Sequence, residues 1–183
     1  MNQFIILDRD GVLNKLLGDN PPDSPMKISE IEILPGVPKA LKKLNDNGYR
    51  LAIATNQPAA AKGKITYEEL TDINQSIVEQ IEVDGAVILS AHICVHRAED
   101  NCMCRKPKEG LLQQVINLHG ADPSISWMVG DRVVDILAGK ALNFKTALIG
   151  YLPVEYNKLL EQNIYPDFIG NNLESFVDYL LGK

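Results

Sequence analysis

The sequence predicts an α/β fold in which a central parallel sheet carries helices on both faces. Three observations carry that prediction. Short, uninterrupted apolar runs recur along the chain, beginning with Phe4-Ile5-Ile6-Leu7, as expected of strands buried on both faces. Amphipathic stretches with helical spacing separate those runs. The unusual polar residues stand where the apolar runs end: Asp8 and Asp10, Thr55, and Asp131. In open parallel sheets that is the edge at which ligands bind.

The elements follow in order. Residues 4–7 form a first strand that stops at Asp8. Residues 34–48 form a helix, with Val37, Leu41 and Leu44 at i, i+4 and i+7 and Gly48 as its stop. Residues 49–55 are a second strand. Residues 66–81 are a helix whose cap is Thr66, with Glu69 three residues on and Leu70, Ile73, Ile77 and Ile81 on one stripe. A third strand over 85–94 precedes a helix over 109–120. A fourth strand over 124–131 ends in Asp131, a helix covers 133–143, and a fifth strand covers 144–150. A short edge strand at 166–170 and a closing helix at 173–183 complete the pattern, and residues 18–27 form a Pro-rich loop. Strand and helix alternate throughout, which makes a Rossmann-like three-layer sandwich. The chain of 183 residues reads as a single domain over 1–183. The gaps after the first and second strands are too short for a separate cap domain, so the fold is essentially capless. Loops 14–33, 58–65 and 92–106 are left to make specificity.

Composition narrows the partners. The net charge is -6, and the Lys and Arg residues are scattered. An acidic surface repels a phosphate backbone, so no nucleic-acid partner is expected. The opening MNQFIILDRD has an apolar run of four residues, too short for a signal peptide or a membrane span. A cytoplasmic monomer with no membrane partner, acting on a small molecule, is the expectation.

The carboxylates give the chemistry. Asp8 and Asp10 lie two apart at a strand end, so both can face one pocket. Asp131 and Asp135 repeat the layout after the fourth strand. An isolated Asp in such a place is usually a turn former or a cap, and for Asp135 alone that reading is preferred. Several carboxylates converging on one edge need a cation among them, and all-oxygen ligation suits Mg²⁺. Such a metal draws in a phosphate, whose remaining oxygens Lys106 can hold.

All three cysteines and two of the three histidines fall in HICVHRAEDNCMCRKP, residues 92–107. Cys94, His96, Cys102 and Cys104 form a C-x-H…C-x-C set with five residues between His96 and Cys102. Three Cys and one His make a closed tetrahedral Zn²⁺ shell, which is structural because no ligand position stays open. The zinc pins loop 92–106, which carries Arg105 and Lys106. His92 points the same way by strand alternation and is the alternative ligand; His96 is preferred. His119, at a helix end, reads as a surface residue or cap.

The motifs DRDGVLN, ATNQ, CRKP and VGDRVVD, in that order, resemble those of the haloacid dehalogenase superfamily of phosphohydrolases. The resemblance runs from residue 4 to about residue 150. It implies that Asp8 is the nucleophile, forming an aspartyl-phosphate, and that Asp10 is the general acid and then the general base. It implies that Thr55 hydrogen-bonds the phosphoryl group and Lys106 neutralises its charge. Asp8, Asp131 and the backbone carbonyl of Asp10 would bind Mg²⁺. The Cys-His set followed by RKP is similar to the branch that acts on D-glycero-D-manno-heptose 1,7-bisphosphate, releasing the 7-phosphate, and on histidinol phosphate. That resemblance makes Asn56 a substrate contact. The sequence departs from the heptose pattern at 58–63, where Pro-Ala-Ala-Ala-Lys-Gly replaces Ser-Gly-Ile-Ala-Arg-Gly, and at Arg132, where Lys is usual. Arg105, Lys106, Arg132 and Lys62 would hold a second, non-reacting phosphate. A cationic histidinol phosphate would instead meet Asp19, Asp23 and Glu30. A zinc-pinned binding module without activity is a third reading, against which the full Asp, Thr and Lys set speaks.

Overall fold

The computed structural model describes residues 2–18, 23–150 and 153–182. Its frame is a six-stranded, all-parallel sheet: β1 (Phe4–Leu7), β2 (Arg50–Asn56), β3 (Ile88–Cys94), β4 (Trp127–Gly130), β5 (Lys145–Leu148) and β6 (Phe168–Ile169). The spatial order is β3-β2-β1-β4-β5-β6, so the chain builds outward from β1 first one way and then the other. β1 is therefore central, which is why all four of its residues are buried.

Alternation along β1 feeds two cores. Ile5 and Leu7 pack with Leu41 and Leu44 of α1 (Val37–Asp46) and with Phe176 and Val177 of α6 (Leu173–Leu180). Phe4 and Ile6 pack with Leu112 and Val115 of α3 (Gly110–His119) and Ala138 of α4 (Val133–Ala141). α2 (Tyr67–Ile81) buries the predicted stripe Leu70, Ile73, Ile77 and Ile81. Thr66 caps it: its hydroxyl accepts from the Glu69 N–H at 3.1 Å, and Glu69 accepts from the Thr66 N–H at 2.7 Å. The predicted helix over 34–48 begins only at Val37, with Pro38 in its first turn, where a missing N–H is tolerated.

Three expectations are corrected. The third strand starts at Ile88 rather than 85, because the Val87 and Ile88 N–H groups bond the Asn45 and Glu82 side chains instead of a neighbouring strand. The stretch 124–131 divides into a 3-10 turn, Pro123–Ile125, and β4. Residues 153–160, read as no element, form α5 (Pro153–Leu160), which packs Leu159 against Val133, Ile136 and Leu148. The Pro-rich loop 18–27 and Asp19 fall partly on 19–22, and the ends of the predicted single domain fall on 1 and 183, outside the described residues. Among the described residues no helix is long and apolar enough to cross a membrane.

Candidate active site

A cavity of ≈ 620 Å³ opens where β1, β2 and β4 end, the crevice that the reversal of strand order creates. Asp8, Asp10, Thr55, Asn56, Lys106 and Asp135 are among its lining residues, and Arg105 and Arg132 stand at it as well. Lys62, expected there, is exposed and does not line it.

Lys106 is the hub. Its ammonium lies 2.9 Å from Asp8 Oδ1 and 2.5 Å from Asp135 Oδ1, and donates to the Ala54 carbonyl at 2.6 Å. Burial alone would push that ammonium down, but Asp135 and Asp8 hold it above its ordinary value. Its backbone is clamped too. Asn56 accepts from the Lys106 N–H at 3.1 Å and donates to the Lys106 carbonyl at 3.0 Å. Asn56 thus stands at the cavity as expected, but its amide is occupied in holding Lys106. Arg105 donates to the His96 carbonyl at 3.2 Å.

Asp135 does two jobs that sequence reasoning separated. Its Oδ2 accepts from the Arg132 N–H at 3.1 Å, capping α4 as expected, while its Oδ1 faces Lys106. The capping role was legible; the site role depends on Lys106 arriving from a distant loop. Gly130 is required beneath it, since a Cβ there would lie 2.2 Å from the Asp135 Cβ. At Gly11, with φ +82°, a Cβ would come 2.3 Å from Asp131 Oδ2.

Asp8, Asp131 and Asp135 each offer an oxygen, all within 4.8 Å of one another. Asp131 is 3% exposed, and its Oδ1 has no hydrogen-bond partner. Burial, then Asp8 and Asp135 beside it, push its carboxyl up to about 8. Burial likewise pushes Asp135 up to about 6, against the pull of Lys106. Three carboxylates facing one ammonium, with a buried oxygen left unbonded, fit a hard divalent cation.

Asp10 is different. Arg9 lies on it with Nε and Nη2 at 3.0–3.1 Å; Asn14 donates at 2.8 Å, Ser24 at 2.7 Å and Gln57 at 2.6 Å. Burial works to raise this carboxyl, but Arg9 and the three neutral donors win and hold it below the ordinary carboxylate range. Thr55, 1% exposed, accepts from Gln57 at 3.1 Å. Arg9, Asn14, Ser24 and Gln57 were missed in the sequence; Arg9, Asn14 and Gln57 stand inside the quoted motifs, which was the only signal.

The second cluster is the predicted one. Sγ of Cys94 lies 3.7 Å from Cys102 and 3.2 Å from Cys104; Cys102 and Cys104 are 3.5 Å apart. His96 Nδ1 lies 3.6 Å from Cys94 and 3.3 Å from Cys104. A tetrahedron with Zn–S bonds of about 2.3 Å has edges of about 3.7 Å, so the four atoms stand close to a zinc shell. Burial and the neighbouring sulfurs push the Cys104 thiol up to about 12, so a metal would have to displace its proton. His92 is turned elsewhere, bonding Ser90 at 3.0 Å and Gln114 at 2.9 Å. His119 is not a plain surface residue: it bonds Ser90 at 2.9 Å and stacks on Phe4 at 5.7 Å.

Residues 23–143 match the family model of the haloacid dehalogenase-like hydrolases. The chain is 33% identical over 185 residues to the D-glycero-beta-D-manno-heptose-1,7-bisphosphate 7-phosphatase of Haemophilus ducreyi, covering 96% of this chain and 97% of that protein. It is 34% identical over 146 residues to the enzyme of that name from Pseudomonas aeruginosa, covering 80% of each. Among solved structures, the D,D-heptose 1,7-bisphosphate phosphatase of B. bronchiseptica, complexed with magnesium and phosphate, superposes with a TM-score of 0.84 at 27% identity, over 98% of both chains.

Proposed function

Because the chain belongs to the haloacid dehalogenase-like hydrolases, and is with them a phosphoric monoester hydrolase, we propose that it removes the 7-phosphate of D-glycero-D-manno-heptose 1,7-bisphosphate. The observation that carries the reaction is the meeting of Asp8 and Lys106 at one crevice, with the Asp131 carboxylate beside that of Asp8. The substrate rests on the similarity to the heptose bisphosphatases over nearly the whole chain.

Asp8 attacks phosphorus through a carboxylate oxygen, and the bond from phosphorus to the sugar oxygen breaks. The leaving alkoxide takes the proton carried by Asp10. Water then attacks the aspartyl-phosphate, gives a proton to Asp10, and the bond from phosphorus to Asp8 breaks with release of inorganic phosphate. Splitting the hydrolysis in two replaces one hard step by two easier ones. The donors around free Asp10 favour its ionised form, so it takes up a proton from solvent as the substrate phosphate binds, gives that proton to the leaving alkoxide, and is then ionised again, the state the second step needs. Lys106 and Thr55 hold the phosphoryl oxygens, and positioning with charge neutralisation supplies most of the barrier reduction. Mg²⁺ held by Asp8, Asp131 and the backbone carbonyl of Asp10 would supply the remaining positive charge. Arg105 and Arg132 stand where a second phosphate can lie. Zn²⁺ on Cys94, His96, Cys102 and Cys104 holds the loop that carries Arg105 and Lys106. We read the chain as one capless domain, working as a monomer in the cytoplasm, where thiols stay reduced.

Of the acidic residues that the histidinol phosphate reading would use, Asp23 lines the cavity but has a cation on it already. Asp23 is paired with Lys64, and Glu30 accepts from the Met26 N–H at 2.8 Å; Asp19 lies outside the described residues. The test is phosphate release with Mg²⁺ from the heptose bisphosphate and from histidinol phosphate, side by side. Preference for the bisphosphate is expected; preference for histidinol phosphate overturns the substrate. Asp8→Asn, folded, should lose turnover altogether. A fully active Asp8→Asn protein overturns the mechanism.

A further inference from the structure

Arg9 is 1% exposed and stands between the two aspartates of the reaction. A buried guanidinium is expensive unless every donor is matched, and a buried ion pair is often no more stabilising than packed hydrocarbon. Its presence therefore calls for a reason other than stability. Three contacts tie it to Asp10: Nε to Oδ1 at 3.1 Å, Nη2 to Oδ1 at 3.0 Å and Nη2 to Oδ2 at 3.0 Å. A planar fork on a planar carboxylate fixes both the position and the plane of that carboxylate, which single donors such as Asn14 or Ser24 cannot do.

The fork is itself held. Nη1 of Arg9 donates to Oδ1 of Asn74 at 2.6 Å, and the Asn74 amide is oriented by donating to the Leu70 carbonyl at 2.8 Å. Asn74 belongs to α2, an element that supplies no lining residue to the crevice described above. A chain of hydrogen bonds thus runs from the backbone of α2 through Asn74 and Arg9 to Asp10.

We infer that Arg9, braced by Asn74, is a positioning residue that fixes the Asp10 carboxylate in the orientation from which it exchanges protons with the leaving group and with water. The inference rests on the reading of Asp10 as the acid and base. A proton-transfer group displaced by about 1 Å loses up to about a hundredfold in rate. The device acts on turnover and not on substrate affinity, since neither Arg9 nor Asn74 lines the cavity.

The test is a double-mutant cycle on the heptose bisphosphate. Arg9→Met should lower kcat about ten- to a hundredfold, with KM little changed. In the Asp10→Asn background the same substitution should add no further loss, because the group it positions is gone. Arg9→Lys keeps the charge without the fork and should leave kcat low. If Arg9→Met fails to fold, Asn74→Leu carries the cycle: a smaller loss of kcat is expected, again absent with Asp10→Asn. Unchanged kcat in the folded variants, or losses that multiply with that of Asp10→Asn, overturns the positioning role alone. A fully active Asp10→Asn protein overturns the reading of Asp10 and this inference with it.

Discussion

At the scale of single residues, Lys106 decides whether the site exists. Among the described residues its ammonium is the one cation paired with Asp8 and Asp135, both of them buried or nearly so. Removing it leaves like charges facing one another in a place water scarcely reaches. Lys106→Met should therefore destabilise the fold by about 3–5 kcal/mol, the usual result of stripping one partner from a buried pair, and abolish phosphate release. Urea unfolding beside an activity assay would check both; a stable, inactive variant would mean that the carboxylates relax or take up protons. Residues of this kind were half legible. Asp8, Thr55 and Asp131 announce themselves by standing at the ends of apolar runs, and Lys106 by following the Cys-His cluster, in a fixed order. The donors around Asp10 do not, because Asn14 and Ser24 come from separate points of the connection after β1 and Gln57 from the end of β2, and they meet only after the sheet has formed. Lys62 was misplaced because charge in a motif says nothing of which way a turn presents it.

At the scale of elements, the loop from Cys94 to Lys106 has little apolar content of its own. Its order comes from the Cys-His cluster, from Arg97, whose guanidinium donates to the Ala61 carbonyl, and from the Asn56 clamp on Lys106. Cys104→Ser should lower the melting temperature and, because Lys106 is two residues away, reduce kcat as well. Calorimetry with and without a zinc chelator checks this: the chelator should lower the melting point of the parent protein and leave that of the variant almost unmoved. The Cys-His cluster was readable because ligand spacing is a local property. The central strands were readable because burial on both faces leaves no polar residue in the run. α5 was not, because only Leu159 of its eight residues is fully buried, Val154 is exposed, and no stripe at helical spacing marks it. Its place is set by Glu155, which accepts from the Val133 N–H at 3.0 Å, a contact across 22 residues.

At the scale of the whole molecule, the crevice stores a charge imbalance that pH exposes. Asp131 and Asp135 have folded-state values of about 8 and about 6, above the ordinary value of about 3.9 expected in the unfolded chain. A carboxyl raised by folding contributes stability that is full below its unfolded value and is lost as pH rises through the folded one. The metal-free protein should therefore lose stability steadily from about pH 4 to about pH 8. A divalent cation favours the ionised forms, so its gain in melting temperature should be larger at pH 8 than at pH 5. Thermal melts with Mg²⁺ or with chelator across that range measure it directly. An equal gain at both ends would mean that the cation displaces no proton.

The strand order has a further consequence, for the chain while it is being made. β1 leaves the ribosome first, yet it lies in the middle of the sheet, between β2 and β4. Asp8, at its end, meets its partners only after Lys106, some hundred residues later, and Asp131 beyond it have been synthesised and brought alongside. A nascent chain halted before β4 holds a wholly apolar strand paired on one edge only, to β2, and no assembled crevice, so the crevice is completed late, when β4 closes on the open edge of β1.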